Sequence, residues 1–311
     1  MDHSIDRNRI EQFGSLEFLA RQVVEGFIVG LHKSPYHGFS VEFAEHRLYN
    51  PGESTKHIDW KLYGRTDRMY VKKYEEETNL RCQIIIDNSS SMYFPVIKEP
   101  SPDKPNKITF SIYAAASIMN LLRRQRDAVG VSVFANNVEL TTRARSSSVH
   151  HKYLYSELEK MLRPIGTDVK RPTFATEALH EIAEKIHKRS LVVLFSDMFD
   201  TESDMTGLFS ALQHLKHNKH EVVLFHVTEK QKEIEFDFDN RPYRFIDMES
   251  DREIKLNPQQ VREVYRQNMS AFTKELEMKC GQYQIDFIEA DINKGFDQVL
   301  QAYLIKRQKM F

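Results

Sequence analysis

Cysteine is nearly missing from this chain. Its 311 residues contain two, Cys82 and Cys280, far apart and in no CxxC or other metal-ligand spacing. This argues against a disulfide framework and a thiolate metal site, and for reduced thiols in a cytosolic chain. An excess of charge of either sign is missing too, because 44 Lys and Arg face 45 Asp and Glu. The chain therefore has no global field to attract nucleic acid or an anionic membrane. The one locally basic stretch, RARSSSVHHK at 143–152, reads as a solvated loop. No apolar run approaches the ~18 residues of a membrane span. The opening MDHSIDRNRI lacks the apolar stretch of a signal peptide. A cytoplasmic location, or a peripheral one through a partner, is the expectation.

Signatures of catalysis are missing as well. No GxxxxGK[ST] loop, GxSxG elbow or HExxH helix occurs, no DxD nucleophile pair closes any of the apolar runs, and Gly130 and Gly166 stand alone. His150 and His151 are adjacent, which suits no shared metal. What is present is the composition of an ordinary globular protein, 41% hydrophobic and 29% charged, in a chain too long for one small core.

Residues 8–31 carry Phe13, Leu16, Ala20, Val23 and Phe27 at helical spacing, which predicts an amphipathic helix. GFSVEFAEHRLY alternates like a strand, NPGES turns, and RMYVKKYEEE reads as another short strand. Residues 1–79 are thus expected to form a helix and a small β-rich unit.

From residue 80 the pattern changes. Apolar runs at 83–87, 128–134, 191–196, 222–228 and 285–290 alternate with helical segments at 108–125, 153–162, 175–188 and 204–217. Near-continuous apolar strands between helices predict a parallel sheet covered on both faces, a doubly wound α/β domain over 80–311. In 108–125, Ile108, Ile112, Ala115, Met119 and Leu122 mark one buried face. Residues 230–256 break the rhythm and predict an inserted β-hairpin turning at Asp239–Pro242, followed by a helix at 258–279. PVIKEPSPDKPNK at 95–107 reads as an exposed loop.

The stretch QIIIDNSSSMYF, 83–94, runs a buried strand into Asp87 and then into Ser89 and Ser91. In a doubly wound sheet, ligands bind outside the carboxyl ends of the strands. A carboxylate beside neutral hydroxyls is a donor set for a hard cation such as Mg²⁺ or Mn²⁺. Further oxygens are then expected at other strand or helix ends: Asp197, closing LVVLFSD, and Thr173, opening TFATEALHEI. The competing explanation for Asp87, Ser89 and Ser91 is an Asx-turn and helix cap. Thr167 rivals Thr173, Thr176 suits a cap, and Asp200 and Asp204 suit the start of the next helix.

Asp87-x-Ser89-x-Ser91, with Thr173 five residues before Ala178-Leu179 and with Asp197, resembles the von Willebrand factor A-type domain. The resemblance implies a metal-ion-dependent adhesion site. In it Ser89, Ser91 and Thr173 coordinate Mg²⁺ (or Mn²⁺ or Ca²⁺) through hydroxyls, and Asp87 and Asp197 act directly or through water. A partner's carboxylate completes the octahedron. Upstream, FAEHRLYNPGESTKHIDWKLYGRTDRMYVKKYEEE at 43–77 is similar to the signature of the bacterial family called domain of unknown function 58. Arg47, Tyr49, Pro51, Gly52, Ile58, Asp59, Trp60 and Arg65 match it. Glu53, Lys56 and Gly64 depart from it, and Lys56 lacks the bidentate fork of an arginine. That family resembles partners of MoxR-type AAA+ ATPases, so an adaptor or co-chaperone is implied. Two other classes stay open: a Mg²⁺-dependent hydrolase of phosphate esters, and, against the charge balance, a nucleic-acid binder. Asp59 and Trp60 with Arg47 and Arg65 suit either a recognition surface or a buried ion pair with an anchored tryptophan. Arg123, Arg124 and Arg126 suit a helix C-terminus and need no ligand.

Overall fold

The structure is a computed structural model that describes residues 15–33, 46–49, 60–72, 80–162, 175–199, 205–248 and 252–310. It divides into two compact units, one of residues 1–27 with 80–311 and one of residues 28–79. The boundary at 27/28 was not expected, since it splits the N-terminal helix α1 (Ser15–Lys33).

In the smaller unit, β1 (His46–Leu48) pairs antiparallel with β2 (Tyr70–Lys72), and α2 (Trp60–Thr66) lies between them in sequence. Trp60 is 58% exposed and meets Tyr63 edge-on, so it is not the buried anchor the sequence allowed. Asp59, Pro51, Gly52, Glu53, Lys56 and Ile58 lie outside the described residues.

The larger unit has a six-stranded sheet, mostly parallel, flanked by helices: a Rossmann-like α/β fold. Its strands are β3 (Arg81–Asp87), β4 (Ala128–Phe134), β5 (Val138–Thr141), β6 (Leu191–Ser196), β7 (Glu221–Thr228) and β10 (Asp286–Asp291). Their order across the sheet is β10-β7-β6-β3-β4-β5, and only β5 is antiparallel to its neighbour. Buried apolar side chains run almost unbroken through β3, β4, β6 and β7, as expected for strands covered on both faces. On one face α5 (Ala175–Lys185), α6 (Met205–His217) and α7 (Pro258–Gln282) close a core with Ile85, Val192, Leu194, Val222 and Leu224. The other face carries α3 (Lys107–Arg124), α4 (Ser148–Met161) and α8 (Asp297–Met310).

Helix α3 departs from expectation. Every residue from Lys107 to Leu122 is buried, so it is a central helix and not an amphipathic one. Asn106 caps it, accepting from Thr109 N at 2.9 Å. Lys107, read from sequence as the end of an exposed loop, is therefore inside the protein. The first half of α1 packs on this side of the unit, with Leu16, Phe18, Ala20, Val24 and Phe27 buried. Leu16 N donates to Glu159 at 2.8 Å, and Glu17 pairs with Arg123. Arg124 likewise pairs with Glu25 at 3.2 Å, so both arginines answer carboxylates as well as a helix end.

β8 (Tyr243–Ile246) and β9 (Glu253–Leu256) pair antiparallel as a hairpin. Residues 239–242 precede it. The segment Lys230–Ile234 is a π-helical turn and not a strand.

Candidate functional site

Strands β3 and β6 run side by side and parallel, with Ile86 opposite Phe195. The chain leaves β3 toward β4 on one side and later returns to β6 on the other. The crevice beyond the carboxyl ends of β3 and β6 is thus the point where strand order reverses, the usual ligand position in such sheets. Asp87 ends β3 there, Ser196 ends β6, and Asp197 follows it directly.

Asp87 is fully buried. Ser89 N–H donates to its Oδ1 at 2.9 Å, and Ser196 Oγ–H donates to its Oδ2 at 2.7 Å. Burial, together with the nearby Asp197 charge, pushes its pKa up to about 7 against those two hydrogen bonds. No side chain of opposite charge pairs with it among the described residues. Beyond Asp87 the chain enters a 3₁₀ turn, Ser90–Tyr93, with Ser89 at its cap position. The Ser89 hydroxyl makes no capping bond. Its Oγ lies 3.0 Å from Ser91 Oγ instead. The loop is fastened from outside: Tyr93 Oη–H donates to Asn88 Oδ1 at 2.8 Å, and Asn88 Nδ2 donates to Glu139 at 2.7 Å.

Asp197 is also fully buried. Its Oδ2 accepts from Lys107 Nζ at 2.8 Å and its Oδ1 from Phe199 N at 3.2 Å. Lys107 Nζ also reaches Glu233 Oε1 at 2.5 Å. Burial opposes the lysine charge, but Asp197 and Glu233 outweigh it and raise the Lys107 pKa. His226 lies behind: burial pushes its pKa down to about 4, and its neutral ring directs Nε2 to the Asp197 carbonyl oxygen at 3.0 Å.

Four of the five expected site residues, Asp87, Ser89, Ser91 and Asp197, therefore end on adjacent strands and one loop. Thr173 lies outside the described residues, as do Thr167, Asp200 and Asp204. Among the described residues, no three His, Cys, Asp or Glu side chains gather as a metal-ligand group, so the cluster is two carboxylates plus hydroxyls. Sequence reasoning missed Ser196, Lys107 and Glu233. The available signal for Lys107 was its place: a cation in the first turn of a helix opposes the helix dipole.

An α/β unit with a carboxylate and hydroxyl cluster at its switch point is the class that fold and site define. The chain belongs to the family described as protein of unknown function DUF58, whose model matches residues 45–275. It is 25% identical over 187 residues to uncharacterized proteins Mb1516 of Mycobacterium bovis and Rv1480 of Mycobacterium tuberculosis, covering 59% of this chain and 55% of each relative. The chain thus spans about half the length of the curated relatives it matches. Among solved structures it is similar to the conserved hypothetical protein BatB from Bacteroides thetaiotaomicron, with TM-score 0.41, 14% identity, and coverage of 74% of this chain and 98% of that one. It is also similar to an aerotolerance-related membrane protein from Bacteroides fragilis, with TM-score 0.42, 15% identity, and coverage of 73% and 99%. No helix among the described residues is long and apolar enough to cross a membrane.

Proposed function

We propose that this chain is a metal-dependent protein-binding module of the von Willebrand factor A type, serving as an adaptor or co-chaperone beside a MoxR-type AAA+ ATPase. One arrangement carries the reading: Asp87 at the end of β3, Asp197 directly after the neighbouring β6, and, on the loop that leaves Asp87, a serine pair with Oγ atoms 3.0 Å apart. Two oxygens bound to Mg²⁺ at about 2.1 Å and at right angles are ~3.0 Å apart, so the serines are spaced as one edge of an octahedron. Asp87, buried beside a like charge, has no cation paired with it among the described residues, and a divalent ion would supply one.

In this reading Asp87, Ser89 and Ser91 would hold Mg²⁺, Mn²⁺ or Ca²⁺, and Asp197 and Thr173 would complete the set as the family resemblance implies. A bound ion would supply the positive charge that attracts a partner's carboxylate. The chain's own work is positioning. Ser196 and the Ser89 N–H fix the two Asp87 oxygens, and Asn88, Tyr93 and Glu139 hold the loop that presents the serines.

Calorimetric titration with Mg²⁺ or Mn²⁺ tests this. The full chain is expected to bind, and Asp87→Ala with Ser89→Ala is expected to abolish binding; unchanged affinity in that double variant removes the metal site. A chelator is then expected to release an ATPase encoded beside this chain from a pull-down. A screen of phosphate esters with the metal-loaded protein is expected to show no turnover above background, which separates an adaptor from a hydrolase.

A further inference from the structure

Lys107 is fully buried, and lysines are almost never so unless paired. It opens α3, where the helix dipole disfavours a cation. Its position is set instead by two carboxylates from distant parts of the chain: Asp197 after β6, at 2.8 Å, and Glu233 in the π-helical turn after β7, at 2.5 Å. The rings of Phe94 and Phe199 flank the ammonium, with centroids 6.0 and 5.8 Å away. Glu233 is itself held on its far side, its Oε2 accepting from Glu229 N at 2.7 Å. One end of the lysine bridge is thus a residue of the candidate metal site, and the other is an independent acceptor.

We propose that Lys107 is a tethered cation that competes with the divalent ion for Asp197, and that Glu233 is the acceptor it keeps when the ion binds. This rests on the metal reading above. With Lys107 in place, Asp197 Oδ2 is occupied and a positive charge faces an incoming ion. Both effects weaken ion binding. When the ion arrives, Asp197 turns toward it, and Lys107 stays neutralised by Glu233 and does not become a buried unpaired charge.

Titration of the full chain with Mn²⁺ alone tests this, in the wild type and in Lys107→Met, Lys107→Gln, Glu233→Gln and the Lys107→Met/Glu233→Gln pair. Removing a like charge a few ångströms from a partly buried ion is expected to lower Kd by ~tenfold or more in both lysine variants. Glu233→Gln, which leaves the lysine only Asp197, is expected to raise Kd several-fold. That effect is expected to shrink in the double variant. If it persists at full size there, Glu233 acts by plain attraction for the ion and its role as acceptor is overturned. A lysine-variant Kd equal to or weaker than wild type, with wild-type binding still lost in Asp87→Ala/Ser89→Ala, overturns the competition and leaves the metal site standing. Binding by the lysine variants where the wild type shows none supports the competition in its strongest form. No binding in any variant up to ~10 mM, above the weakest sites of this kind, sinks both. If the lysine variants do not fold, Glu233→Gln still retains the lysine, and an unchanged Kd there overturns the acceptor role.

Discussion

His151 is fully buried on α4, and neither ring nitrogen has a hydrogen-bond partner among the described residues. Burial, helped by the charges of Arg123 and His150, pushes its pKa down to about 4. An unfolded histidine titrates near ~6.5. The unfolded chain therefore takes up the proton first. The stability associated with a neutral His151 is fully present above about pH 6.5 and is lost as pH falls toward the folded value. His151→Leu is close in volume and has no polar atom to desolvate. It is expected to gain about 1 kcal/mol at neutral pH. It is also expected to narrow the gap between urea midpoints measured on the acid and neutral sides of that window, and a gap as wide as the wild type's refutes the assignment. Residue-level chemistry was partly legible in the sequence. Asp87 and Asp197 each end an apolar run, and a carboxylate ending a strand is visible without a structure. Lys107 was not, because its partners lie 90 and 126 residues away and the loop before it is rich in proline and lysine. Ser196 was hidden at the end of an apolar strand, where only the neighbouring strand brings Asp87 to its hydroxyl.

At the scale of elements, the edge of the sheet depends on a glycine. After β4 the chain folds back antiparallel. Thr142 N donates to Val131 O at 2.9 Å, and Val131 N donates to Thr142 Oγ1 at 2.8 Å. Gly130 lies under this return, where a Cβ would meet the Gln83 side chain and come within 2.7 Å of the Thr142 carbonyl oxygen. The backbone cannot yield there without giving up β5. Gly130→Ala is accordingly expected to cost about 1–3 kcal/mol, as overpacking does. Hydrogen exchange at Val131 and Thr142 is expected to quicken with it, and an unshifted denaturation midpoint would show that β5 adapts freely. In the sequence Gly130 reads only as half of a missing phosphate loop, because close approach of a distant backbone leaves no mark on spacing. The five parallel strands are legible there: in β3, β4, β6 and β7 the apolar runs are set by burial on both faces, while β10 lies at the sheet edge and is mostly half-exposed. Not legible are β5, four half-exposed residues with no run to recognise, and α8, whose buried residues Val299, Leu300, Tyr303 and Leu304 fill only a short stretch. The turn residues Asp239–Pro242 suggest a hairpin tip but precede both strands of the hairpin, since turn residues mark a reversal without saying which strands flank it.

For the whole molecule, the question is what completes the α/β unit. Its sheet and helices lie within 80–311, yet five apolar side chains of α1 are buried in the same unit, and Glu17, itself buried, meets Arg123. A chain beginning at Leu80 would lose these contacts and leave the surface they cover open to water. Burying a Leu, Val or Phe side chain contributes about 1.5–3 kcal/mol at the upper limit, so the loss of Leu16, Phe18, Val24 and Phe27 is expected to lower the unit's stability by several kcal/mol. The fragment 80–311 is therefore expected to unfold at a clearly lower urea midpoint than the full chain and to bind a hydrophobic dye. Residues 28–79 are missing from that fragment too, and a second arm separates their effect. A peptide of residues 15–27 in excess is expected to raise the midpoint again, because the contacts in question belong to that segment. It would fold only on docking, since a helix so short is marginal in water. If the fragment is as stable as the full chain, α1 is a passenger on the α/β unit. If the fragment is weaker and the peptide restores nothing, the stabilising part is the 28–79 unit. The assignment of α1 to the core of the α/β unit stands only if both arms come out as stated.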